Sequence, residues 1–206
     1  MYTLIFLVLS GLLIGGVEVI KRKYLISPNI TRRVTHICAA LIAVAASFFI
    51  DKTIIIISCI GFSFLLLWGR KRSLFTSINS INRKSYGDVY FPLGEALAAF
   101  ILLPDNIKPF QFGILVLGIS DAVAGSVGEK YGKHPITFLK NNKSYEGALV
   151  FCLCTFFLTS IFISGIGLHL VFIPLVLTVI ELGLGDGTDN LALPIWGGVL
   201  ISLVYI

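Results

Sequence analysis

The chain has 206 residues, 56% hydrophobic and 13% charged, with 16 Lys and Arg against 11 Asp and Glu for a net charge of +5. A soluble domain carries about 25% charged residues to face water, so this composition excludes a water-soluble globule, a disordered chain and a disulfide-stapled secreted module. Such a surface faces lipid, and its basic excess is a topology signal before it is a sign of anionic ligands. The basic residues fall in short clusters between apolar runs, which excludes nucleic acid as a partner.

In chain order the apolar segments are 2–17, 34–50, 53–68, 89–103, 110–127, 147–164, 168–184 and 191–206. They predict an all-α polytopic integral membrane protein, one domain over 1–206, with about eight transmembrane helices, seven to nine being compatible with the pattern. The fourth carries Pro92 and Glu95 and is the least regular. The first does not read as a cleavable signal, since Lys21, Arg22 and Lys23 follow its apolar run instead of preceding it. Cys38, Cys59, Cys152 and Cys154 all lie in apolar segments and read as packing residues; positions i and i+2 of a helix do not face one another.

Loop charge sets the orientation. Lys21, Arg22, Lys23, Arg32 and Arg33, then Arg70, Lys71, Arg72, Arg83 and Lys84, then Lys130, Lys133, Lys140 and Lys143 fall on one side, leaving Lys52 and Lys108 on the other. The crowded side is cytoplasmic by the positive-inside rule, and the N-terminus is outside. The sequons at Asn29 and Asn142 then face the cytoplasm and read as chance matches. Nine acidic residues lie at or towards the same side, and Glu95, Asp121 and Glu181 fall inside segments. An ionised carboxylate there costs about 3 kcal/mol or more unless paired or wet, so these are functional candidates.

Four constellations carry the chemistry. Glu18 closes the first segment while Arg32, Arg33 and His36 open the second; Arg33 and His36 run into the membrane. Asp121, Gly125 and Gly128 stand at i, i+4 and i+7, one stripe of a helix that leaves the membrane into Lys130 and Lys133. A carboxylate followed by two positions without side chains lets a metal-bound phosphate approach the backbone. The same stripe would serve helix packing through small residues, but a buried Asp on it favours the functional reading.

The third constellation, Lys143-Ser144-Tyr145-Glu146-Gly147, is equally an N-cap (Ser144) with a favourable acid (Glu146) and an anion site beside Lys143. In the fourth, Asp186 and Asp189 flank Gly187-Thr188, with Asn190 next. An N-cap role accounts for Asp186 alone, whereas the set suits Mg²⁺, which takes oxygen ligands and shares them with phosphates.

On Asp121 to Gly128 with Tyr131-Gly132-Lys133, on Lys143 to Gly147, and on Asp189-Asn190-Leu191 with Pro194, the chain resembles the CTP-dependent lipid-alcohol kinases, the membrane family of dolichol kinase, phytol kinase and the yeast-type diacylglycerol kinase. The resemblance runs from Glu18 to the end of the chain. It implies phosphoryl transfer from CTP to the hydroxyl of a membrane lipid alcohol at the cytoplasmic interface. It also implies Mg²⁺ held by Asp121 and by Asp186 or Asp189. Lys130, Lys133 and Lys143 would neutralise the triphosphate, with Arg33, His36, Ser144 and Glu146 around it. Asp189 or Glu95 would accept the proton of the hydroxyl. Phosphatidate cytidylyltransferase, a distant relative, is the second reading; it typically has Lys-Arg and Lys-Asp pairs where this chain has Lys143-Ser144-Tyr145-Glu146. An ion-coupled transporter and a non-catalytic scaffold are further alternatives.

Overall fold

The computed structural model describes residues 1–72, 74, 85–137, 139 and 143–204. Arg83, Lys84, Lys140 and Asn142, used above for topology, lie outside the described residues, as do 205–206 of the last predicted segment. Among the described residues all regular structure is helical: α1 (Tyr2–Tyr24), α2 (Pro28–Ala46), α3 (Lys52–Lys71), α4 (Gly87–Leu102), α5 (Ile107–Tyr131), α6 (Tyr145–Phe162), α7 (His169–Gly183) and α8 (Asp189–Ser202). Each overlaps one predicted segment, so the all-α fold is as expected.

Four of these helices, α1, α3, α5 and α6, are long and apolar enough to cross a membrane. The helices α2, α4, α7 and α8 fall short of that by length or composition, although α7 is apolar over most of its length. Outward faces are hydrocarbon: Phe64, Phe157, Ile161, Phe172 and Val179 are each more than 60% exposed. Charged and polar groups are instead drawn inwards, the inverse of a soluble fold. The chain is an integral membrane protein.

Local chemistry fixes where helices start. The Ser27 hydroxyl accepts from the Asn29 backbone N–H at 3.3 Å and Pro28 takes the first position, so α2 begins six residues before the predicted boundary at 34. Arg32, Arg33 and His36 therefore sit on a formed helix, not at a loop edge. Asp51 caps α3 by accepting from Thr53 N–H at 2.8 Å, and Ser144 caps α6 by accepting from Gly147 N–H at 3.2 Å. The N-cap expected of Asp186 is not made: α8 starts at Asp189, and Asp186 (φ 55°) and Gly187 (φ 91°) form a left-handed turn ahead of it.

The central helix is α5, with Phe110 and Phe112 fully buried. Two glycines let neighbours approach its backbone. A Cβ at Gly113 would stand 2.1 Å from the Pro194 carbonyl of α8, and one at Gly118 would stand 2.2 Å from the Ala40 Cβ of α2. Around the second of these glycines α5 opens into a π-helical stretch, Val116–Asp121, before regaining α geometry at Ala122. Such stretches often mark functional positions, and this one ends on Asp121, the half-buried carboxylate singled out above.

Candidate functional site

A cavity of about 500 Å³ opens where α2, α4, α6 and α8 begin and α5 and α7 end. It brings together residues from all four constellations: Arg32, Arg33 and His36 from α2, Asp121, Gly125 and Gly128 from α5, Lys143 and Ser144 ahead of α6, and Asp186 and Asp189 around the last turn. More than 150 residues separate Arg33 from Asp189 in sequence, so the fold assembles this chemistry.

Charge in the cavity is arranged around Lys143. Its ammonium pairs with the Glu181 carboxylate of α7 and lies 3.6 Å from Asp189. Asp121 is within electrostatic reach of Asp189, Lys143, Glu181 and Arg32. Burial opposes the charged form of Lys143, but Glu181, Asp121 and Asp189 outweigh it and hold the pKa above the ordinary lysine value. Also lining the cavity, the Arg33 guanidinium meets Glu129 at 2.9 Å.

The loop before α6 is held by a short two-sided ladder. Ile136 N–H donates to the Lys143 carbonyl at 2.9 Å, and Tyr145 N–H donates to the His134 carbonyl at 3.0 Å. The turn before α8 is pinned to the start of α4. Tyr86 N–H donates to the Asp186 carbonyl at 3.2 Å, and the Asn190 side-chain amide donates to the Gly87 carbonyl at 2.6 Å. A Cβ on Gly187 would come within 2.4 Å of Gly87 Cα, so only a glycine permits this approach.

Several expectations change. Glu95 does not line the cavity; it is buried on α4 beside the Cys59 thiol, in a separate apolar crevice. Lys130 and Lys133 do not line it either. Nine residues of α-helix turn Lys130 about 180° from the Asp121 stripe, and Lys133 lies beyond the end of α5. Among the described residues, Arg32, Arg33 and Lys143 are the Lys and Arg side chains that line the cavity.

Glu146 also points elsewhere. One of its oxygens accepts from Lys133 N–H at 3.1 Å and His134 N–H at 3.2 Å, and meets His134 Nδ1 at 2.6 Å. It fastens the loop rather than lining the cavity, which also gives His134 a structural part. The space beside the two glycines is partly taken by protein: a Cβ on Gly125 would stand 3.2 Å from the Arg33 guanidinium, and one on Gly128 would stand 3.3 Å from the Ser144 hydroxyl.

Among the described residues no three His, Cys, Asp or Glu side chains stand together as a preformed metal cage. The three-carboxylate set of Asp121, Asp186 and Asp189 is therefore not drawn together as one ligand cluster. The donor chemistry still fits Mg²⁺, which binds through one or two carboxylates plus phosphate oxygens and water.

Glu129, Asn29 and Ser85 line the wall without having been singled out in the sequence, while Arg32 and Glu181 were singled out there with no specific role. The signal for Glu181 was present, as a carboxylate inside an apolar segment. Asn29 and Ser85 carried none.

The chain is 26% identical over 201 residues to a phytol kinase of Synechocystis, covering 93% of this chain and 86% of that protein. It is 36% identical over 94 residues to a dolichol kinase of Schizosaccharomyces pombe, covering 43% of this chain and 18% of that one. No family model and no solved structure matches. The two similarities support the resemblance drawn from the motifs, and both relatives are alcohol kinases by name.

Proposed function

We propose that this member of the lipid-alcohol kinases transfers the γ-phosphoryl group of a nucleoside triphosphate, CTP by family resemblance, to the hydroxyl of a membrane lipid alcohol. The observation that carries the proposal is the convergence, among the described residues, of three cations and five carboxylates on one cavity at the membrane end where the basic loops cluster. Phosphoryl transfer asks a protein chiefly to align the reactants and neutralise charge, and this cavity is equipped for both.

Arg32, Arg33 and Lys143 hold the triphosphate, with Arg33 kept in place by Glu129. The carboxylates of Asp121 and Asp189, which lie within each other's electrostatic reach, would hold Mg²⁺. That ion, when bound, neutralises developing charge on the phosphate oxygens. Lys143 is shared between Glu181 and Asp189, so its ammonium stands at the edge of the carboxylates that would hold the ion. The lipid oxygen bonds to the γ-phosphorus as the bond to the bridging β–γ oxygen breaks. The nucleoside diphosphate leaves, and the hydroxyl proton passes to Asp186, the remaining carboxylate of the predicted set.

The positive-inside pattern supports eight spans, an outer N-terminus and a site open to cytoplasmic nucleotide. A Lys133→Cys variant in a cysteine-free background should resist an impermeant thiol reagent until cells are opened, whereas Asp105→Cys should react at once.

The test of the reaction is which part of the nucleotide reaches the lipid. With membranes, Mg²⁺ and a prenyl alcohol, CTP labelled at the γ-phosphate should yield labelled lipid monophosphate, and cytidine-labelled CTP should yield none. Cytidine in the lipid, with phosphatidate as the working acceptor, would make the chain a cytidylyltransferase.

A further inference from the structure

A second, partly open crevice of about 70 Å³ lies between α1, α2, α3 and α4. Phe6, Leu13, Phe62, Leu66 and Phe91 make most of its wall, and His36, Asp88 and Glu95 interrupt the hydrocarbon. His36 lines this crevice and the polar cavity alike. It is 5% exposed, its ring lies 4.4 Å from that of Phe91, and its Nε2 is buried with no hydrogen-bond partner. Asp88 is 4% exposed; Arg70 reaches its Oδ1 at 3.2 Å, and its Oδ2 is buried without a partner.

A buried polar atom left unsatisfied costs about 1–3 kcal/mol, and two residues with such an atom line one narrow crevice. A hydroxyl answers both, since it donates one proton and accepts through its lone pairs. Among the described residues no Lys or Arg lines the crevice, so its polar end suits a neutral headgroup and not an anion.

We infer that this crevice seats the leading segment of a single-chain, prenyl-type alcohol, with His36 Nε2 and Asp88 Oδ2 receiving its hydroxyl at the border of the polar cavity. The inference rests on the kinase reading and names its acceptor class. The crevice has room for one chain and not for two acyl chains on glycerol.

The test uses the full chain in phosphatidylcholine vesicles, without nucleotide, irradiated with a prenyl alcohol that carries a diazirine near its hydroxyl. Label should concentrate on crevice residues of α1, α3 and α4. It should fall about tenfold in Ala39→Phe, which fills the slot, and in excess unlabelled prenyl alcohol, but not in diacylglycerol. Phe62→Trp serves the same purpose should the first variant fail to fold.

Label spread evenly over the lipid-facing sides of α6 and α7, or competition by diacylglycerol equal to that by the prenyl alcohol, would overturn the inference. Irradiation needs no turnover. Crevice labelling in a chain that moves no γ-phosphate would leave the alcohol site standing and remove the kinase reading; γ transfer without crevice labelling would remove the site alone.

Discussion

The two cavities meet at His36 and treat buried charge in opposite ways. The larger sets Arg32, Arg33 and Lys143 among Asp121, Glu129, Glu181 and Asp189, so positive and negative groups neutralise one another around open space. The smaller buries Glu95 beside a thiol, walled by phenylalanine and leucine. Removing a charge from water is tolerable when a partner stands nearby, and a set of such partners can be rearranged by an incoming ion. The first region is therefore built to exchange charge with an anionic ligand, and the second to receive something neutral.

The largest effect should come from Asp121→Asn, which keeps the shape and removes the charge at the end of the π-helical stretch. Transfer of γ-phosphate should fall at least about 100-fold, the range seen when one group facing developing charge is lost. The purified variant should keep its helical circular dichroism. Turnover within a few-fold of the parent would make Asp121 a packing residue and level the contrast between the two regions.

Lys143→Ala should raise the apparent nucleotide KM about tenfold while lowering saturated turnover much less, since the ammonium grips phosphate before as well as during transfer. It also leaves Glu181 buried without its partner, so the variant should unfold more readily. Adding Glu181→Gln should restore stability without restoring affinity. Recovery of affinity in the double variant would mean that Lys143 serves only to satisfy Glu181.

The parts of this molecule legible in its sequence are those governed by local pattern. Hydropathy located the helices because lipid imposes one rule on every outward residue, and the cost of burying charge singled out Asp121 and Glu181. Order along the chain also disclosed the stripe of Asp121, Gly125 and Gly128, which the α-helical geometry after Ala122 preserves. Glu95 went astray because a buried carboxylate announces its cost but not which of two cavities it faces. Glu146 went astray because an acid in the first turn of a helix can serve an anion-binding end or, as here, reach back to hold a loop. The left-handed turn at Asp186 depends on the close approach of Gly87, about a hundred residues away, which no local pattern encodes.

Glu146→Gln tests that loop. The charge that draws in two backbone N–H groups and His134 is lost, so the ladder carrying Lys143 should loosen. Nucleotide KM should rise about threefold with kcat nearly unchanged, and protease should cut the loop faster. An unchanged rate of cutting together with a raised KM would instead place Glu146 against the nucleotide.

The smallest effect belongs to the lysines that pattern alone assigned to phosphate. Lys130 and Lys133 are exposed and lie off the cavity wall, and Lys130 Nζ rests over its neighbour Tyr131 at 5.1 Å from the ring centroid. Exposed charges act through water, and at physiological ionic strength their field decays over about 8 Å. The double variant Lys130→Ala, Lys133→Ala should therefore keep nucleotide KM within about twofold at that salt concentration, with a somewhat larger rise at low salt as long-range steering of the anion is lost. Arg33→Ala under the same conditions should behave like Lys143→Ala, because its guanidinium faces the cavity. If the exposed pair cost as much as Arg33, the end of α5 would have to swing over the cavity when nucleotide binds, and the triphosphate would be held by a surface that forms only around it.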